Sequence, residues 1–127
     1  MIYGIGCDIV KVSRLKTWVQ NEKILNRFFC NKELCKENLN QNRLCEHYAA
    51  RFAAKEAFVK ALGTGFSSFE LKEIYVQTNK LGKPELKLEG KVKIFFEETV
   101  GKNAKIHISL SHEKEYAISY VIIETDS

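Results

Sequence analysis

The sequence holds 127 residues, 45% hydrophobic and 28% charged, with one proline and seven glycines, a balance that suits one globular domain and excludes long disordered tracts. A formal net charge of +4 and a pI near 8.8 fit an anionic substrate or an acidic protein partner. No apolar run approaches the ~20 residues that a spanning helix needs, and the opening MIYGIGCDIV lacks the basic start and cleavage site of a secretory signal.

Residues 2–10 alternate, with Tyr3, Ile5, Cys7 and Ile9 on one side and Gly4, Gly6 and Asp8 on the other, the period of a strand. The glycines allow another segment or a ligand to approach closely, and Asp8 stands at the strand's end on their side. From Ser13, a possible cap, the spacing of Leu15, Trp18 and Val19 predicts a helix with Arg14, Lys16 and Gln20 outward. ILNRFFCNKELCKEN reads as two short helical pieces, the second capped by Asn31. The longest helix is predicted from Asn42 to Leu62, with Leu44, Tyr48, Phe52, Val59 and Leu62 as its buried stripe and Gly63 and Gly65 as its stop. IYVQTN and ELKLE read as strands around the turn KLGKP. KVKIFFEETV is a short amphipathic helix on Val92, Phe95, Phe96 and Val100, and KIHISLS and YAISYVIIE are strands joined by HEKE. The order predicts an α+β fold over residues 1–127, an antiparallel sheet packed with one long helix and shorter helices.

Four cysteines, Cys7, Cys30, Cys35 and Cys45, read as reduced thiols of a cytoplasmic protein. Zinc held by Cys30, Cys35, Cys45 and His47 is the alternative, but their spacings are not the C-x-x-C knuckles of structural zinc.

Three features carry chemistry. Glu56 and Lys60, four apart, share a helix face with Phe52; alone they would be an ordinary surface ion pair. Lys60 lies one turn before Gly63, Thr64 and Gly65, and an ammonium, a hydroxyl and loop amides together can hold phosphate oxygens. This is not a P-loop. Asp8 and Glu56, from separate elements, are able to share a Mg²⁺, which takes one or two carboxylates and leaves the rest of its octahedron to water and phosphate. Finally, ISLSHEKEY puts Ser109, Ser111 and His112 at a strand end. With no G-x-S-x-G elbow, polar side chains converging on a phosphate suit it better than hydrolysis. Together these features describe a site for a metal-bound diphosphate.

GIGCDIVKVSRL, RFAAKEAFVKALGTG, LGKPEL and IHISLSHEKEYAISYVI resemble, in order and spacing, the motifs of the holo-[acyl-carrier-protein] synthases, the short stand-alone 4′-phosphopantetheinyl transferases. The resemblance covers both ends and the middle of the chain, and is weak over roughly residues 20–45 and 90–104. It implies the 4′-phosphopantetheinyl transferase fold, a homotrimer with interfacial sites, and transfer of 4′-phosphopantetheine from coenzyme A to a serine of apo acyl carrier protein, leaving adenosine 3′,5′-bisphosphate. Such an enzyme serves fatty acid biosynthesis. Asp8 and Glu56 would be the Mg²⁺ ligands, with Glu56, or a metal-bound water that it orients, the candidate base. Lys60 would meet coenzyme A phosphates, and Gly63, Thr64, Gly65, Lys83, Pro84, Ser109 and His112 would line the coenzyme A pocket. Arg14, with Lys16 and Arg27 near it, would face the acidic carrier. The chain departs from the pattern at Lys11, where glutamate is expected.

Two other classes compete. A small basic RNA-binding module would want aromatics interleaved with Lys and Arg on one exposed sheet face, whereas Tyr75, Tyr116 and Tyr120 are scattered. A non-catalytic scaffold would need neither Asp8 nor Glu56 beside a lysine. The expected partners are therefore coenzyme A and the carrier protein, with no nucleic acid and no membrane.

Overall fold

The computed structural model describes residues 1–65 and 69–126. Its elements run β1 (Ile2–Lys11), α1 (Glu22–Phe28), α2 (Gln41–Leu62), β2 (Ile74–Thr78), β3 (Pro84–Leu88), α3 (Gly90–Thr99), β4 (Lys105–His112) and β5 (Tyr116–Glu124). Single 3₁₀ turns stand at Val12–Leu15, Asn31–Glu33 and Leu71–Glu73. All pairing is antiparallel: one sheet has the order β1-β5-β4, and β2-β3 form a separate hairpin. The expected α+β class is therefore observed, with its strands divided between two sheets.

Helix α2 buries side chains on more than one side because it serves two cores. One side packs Phe58 and Leu62 with Ile74, Val76, Leu86, Val92, Phe96, Val121 and Ile123. The other packs Tyr48 and Phe52 with Val10, Leu15, Phe29 and Ala117. Asn40 caps its start, its side chain accepting from the Arg43 N–H at 2.9 Å, and Gly63 ends it at φ +86°, in the left-handed region that glycine enters without penalty.

Strand β1 lies directly on this helix. A Cβ on Gly6 would sit 1.8 Å from the Ala57 carbonyl oxygen, and one on Gly4 1.9 Å from that of Ala61. The glycines thus admit a helix backbone, one of the alternatives their spacing left open. On the opposite face of the sheet the side chains of Tyr3, Ile5, Ile9 and Tyr120 are exposed, with Ile5 at 61% and Ile9 at 59%. Cys7 and Ser109 flank Tyr120 there, in register on either side.

Several local expectations are corrected. The helix predicted from Ser13 is only the 3₁₀ turn Val12–Leu15, preceded by Lys11 and without a side-chain cap. Val12 and Leu15, three apart, are the buried pair, matching the 3₁₀ period. Helix α1 begins earlier than expected, where Asn21 accepts from the Lys23 and Ile24 N–H groups. The second short piece is another 3₁₀ turn, and Asn31 is its first residue rather than its cap. Trp18 and Phe28 stack at 4.9 Å, and Phe52 meets the Trp18 edge at 5.0 Å, joining these segments to α2.

Candidate active site

The contact between β1 and α2 sets the first cluster. Going two residues along β1, from Gly4 to Gly6, moves one turn back along α2, from Ala61 to Ala57. The next residue on that face of β1 is Asp8, beside the helix face of Glu56 and Lys60. The Lys60 Nζ donates to Asp8 Oδ1 at 2.9 Å and to the Cys7 carbonyl at 3.1 Å. The Asp8 side chain is only 13% exposed, that of Lys60 54%. Burial, and then the Asp8 charge, push the Glu56 carboxyl above its ordinary pKa, while Arg14 and Lys60 oppose them. The hydrogen bond from Lys60 to Asp8 makes the ammonium hold its proton more tightly.

Two hard carboxylates that repel one another in a half-buried site suit a small divalent cation, which would relieve that repulsion. Among the described residues there is no cluster of three or more His, Cys, Asp or Glu side chains able to hold a metal. Asp8 and Glu56 are two carboxylates, a number of protein donors that Mg²⁺ commonly takes. All four cysteines are free.

Beyond Lys60 the exposed loop carries Gly63 at φ +86° and Gly65 at φ +72°. The Gly63 N–H is taken by the Val59 carbonyl, and Thr64 Oγ1 donates to the Gly65 carbonyl at 3.3 Å. The Thr64 hydroxyl is thus available to a ligand by exchange of one weak contact.

Other predicted residues lie apart from the carboxylates within the single chain. His112 faces a cleft of about 540 Å³ at the opposite end of α2, its Nδ1 2.8 Å from Glu46 Oε1. Glu46 is ten residues, roughly 15 Å, from Glu56 along the helix. Ser109 is on the outer face of the sheet beside Tyr120. Lys83 and Pro84 open a second cleft, of about 430 Å³, against the Ala104–Ile108 stretch. Arg14 lies over the Phe52 ring at 5.5 Å and Arg27 over that of Phe28 at 5.5 Å, with Lys16 exposed in the turn after Leu15. These basic groups border the aromatic cluster, and Arg14 is close enough to act on Glu56.

The cleft at His112 contains basic residues to which the sequence assigned no part in phosphate binding. Arg43, His47 and Arg51 line it from α2. Their i, i+4, i+8 spacing was a visible signal, since it places three basic side chains on one face. The Arg51 Nη1 donates to the His47 carbonyl at 3.2 Å, and its buried Nε has no partner. His47 donates from Nε2 to the Glu33 carbonyl at 2.8 Å. Burial, followed by the Arg51 charge, lowers its pKa to about 4, so the ring is neutral.

Residues 4–121 match the family model described as the 4′-phosphopantetheinyl transferase superfamily. A holo-[acyl-carrier-protein] synthase of Treponema denticola is 48% identical over 124 residues, covering 98% of this chain and 99% of that relative. The crystal structure of a holo-(acyl-carrier-protein) synthase from Bacillus anthracis, described as a complex with CoA (3′,5′-ADP), superposes with a TM-score of 0.79 at 34% identity, covering 99% of both chains. The corresponding synthase from Neisseria meningitidis gives a TM-score of 0.82 at 30% identity over 98% of this chain and 100% of its own.

Proposed function

The chain belongs to the 4′-phosphopantetheinyl transferase superfamily, and on that premise we propose that it transfers 4′-phosphopantetheine from coenzyme A to a serine of apo acyl carrier protein. The observation that carries this reading is the junction of β1 and α2, where Asp8 and Glu56 interact electrostatically and Lys60 reaches Asp8. The coenzyme A complex of the Bacillus anthracis relative supports the donor, and its name and those of the other relatives support the acceptor.

Asp8 and Glu56 would hold Mg²⁺, which supplies charge neutralisation for the diphosphate when bound. Lys60, on a flexible stem and half exposed, turns from Asp8 to the phosphate oxygens, with the Thr64 hydroxyl and the Gly65 amide beside it. The carrier serine Oγ bonds to the phosphorus that bears pantetheine. The bond from that phosphorus to the oxygen bridging it to the other phosphate breaks, and its electron pair leaves with adenosine 3′,5′-bisphosphate. The serine proton passes to the Glu56 carboxylate. Arg14, Lys16 and Arg27 present positive charge to the acidic carrier.

The assembly we infer is a homotrimer. The apolar outer face of the β1-β5-β4 sheet supports it, as does the separation of Ser109, Lys83, Pro84 and His112 from the carboxylates within one chain. A site completed between copies accounts for both. A cytoplasmic role in fatty acid biosynthesis follows from the reaction.

Intact-mass spectrometry of apo acyl carrier protein, incubated with this protein, coenzyme A and Mg²⁺, tests the function. One phosphopantetheine should be gained, and a chelator should abolish the gain. Glu56→Gln should lower turnover by about 10²-fold or more while the fold persists. Undiminished turnover in that variant would refute the role of Glu56, and no gain with wild-type protein would refute the reaction.

A further inference from the structure

The basic row of α2 continues past Arg43, His47 and Arg51 to Lys55, which turns into the core. Lys55 and Glu33 have side-chain exposures of 0% each, with Nζ 2.6 Å from Glu33 Oε1. The ammonium also donates to the Leu71 carbonyl at 3.0 Å and to the Ile74 carbonyl, so all three of its protons are used. Glu33 is as fully engaged. Its Oε1 accepts from the Cys30 N–H at 3.2 Å, its Oε2 from the Val76 N–H at 3.0 Å, and its backbone carbonyl from His47.

These bonds join three segments that have no sheet pairing with one another: the turn Asn31–Glu33, the stretch from Leu71 into β2, and α2. The same segments wall the 540 Å³ cleft, through Glu33 and Leu34, through Val76 and Gln77, and through His47 and Arg51. A buried ion pair is seldom a better stabiliser than apolar side chains of the same volume. A pair whose bonds tie together three walls of a ligand-sized cleft has a geometric task instead. We propose that Glu33 and Lys55 are positioning residues for coenzyme A, fixing the separation between the basic row of α2 and the facing β2 wall. This rests on the reading that the chain uses coenzyme A. Neither residue touches the reacting atoms, so the pair acts on coenzyme A affinity and leaves the chemical step alone.

The double variant Glu33→Leu/Lys55→Met removes both charges at similar volume, whereas either change alone strands a buried charge. Calorimetric melting, titration with coenzyme A, and steady-state kinetics with coenzyme A and carrier varied separately form the test. The expected result is a folded protein whose Kd and KM for coenzyme A rise about tenfold or more, with kcat and the KM for carrier within about threefold. Glu33→Gln/Lys55→Met, which keeps an acceptor for the Val76 N–H, should recover part of the affinity. A folded double variant with wild-type Kd and KM for coenzyme A would overturn the proposal. If the double variant does not fold, Glu33→Asp, which keeps both charges but shortens the reach, decides on the same two constants. Wild-type protein that neither binds coenzyme A nor transfers from it would overturn the function itself, whereas an active wild type with unshifted variants overturns only the positioning role.

Discussion

His47 shows how one side chain ties the cleft to solution conditions. Held neutral between the Glu33 carbonyl and Arg51, it takes a proton only near pH 4 in the folded chain, against an ordinary value of 6.5. Between those two values the unfolded chain binds more protons, so the His47 contribution to stability, fully present above pH 6.5, falls as pH drops through that window and is gone below its lower end. The loss is about 3 kcal/mol. Glu56 works in the opposite direction, because its raised pKa means that mild acid relieves the repulsion with Asp8. Denaturant unfolding at a series of pH values should show the His47 loss, and His47→Gln should flatten it. Identical pH slopes for the variant and the wild type would contradict this account.

Among the elements, β1 and α2 matter most, because their contact distance sets the carboxylate pair. Gly6→Ala would drive a methyl into the Ala57 carbonyl, against backbone that cannot turn aside. Destabilisation by about 3 kcal/mol or more is expected, with weakened Mg²⁺-dependent transfer in whatever folds. A variant within about 1 kcal/mol of wild type in urea would contradict the close packing. The sequence made this element legible, since period-two alternation revealed the strand and the placement of Asp8 on the glycine side. It left open what those glycines met, because the partner is supplied by α2, some fifty residues away. Asp8, Glu56 and Lys60 were readable because residue type and helical spacing announce them. The cleft at His112 was not, because Glu33, Val76 and Arg51 meet only through tertiary contacts. The turn at Val12–Leu15 was misjudged for a related reason: Leu15, Trp18 and Val19 have helical spacing in the sequence, but Trp18 is placed by its tertiary stacking on Phe28 and Phe52.

For the whole molecule, the exposed face of the β1-β5-β4 sheet is the feature that a lone chain leaves unaccounted for. Burying an aliphatic side chain such as Ile5 or Ile9 contributes about 1.5–3 kcal/mol, and three copies sharing these faces would multiply that gain. Ile9→Lys should leave each chain folded, since the side chain is 59% exposed, yet convert trimers to monomers with little transfer activity. Sedimentation velocity on both proteins checks this, and a wild-type monomer with full activity would rule the assembly out.

The order β1-β5-β4 also has a consequence for biosynthesis. The middle strand, β5, is the last to be made, and roughly a hundred residues separate it from β1. At translation rates of about 5–20 residues per second, β1 waits on the order of 5–20 s for its hydrogen-bonding neighbour. During that interval its backbone is unpaired on the ribosome-bound chain, and the isoleucines of its outer face have no mate. The nascent chain is therefore exposed to misassociation until β5 follows β1, and slowing elongation between the two lengthens its dependence on chaperones.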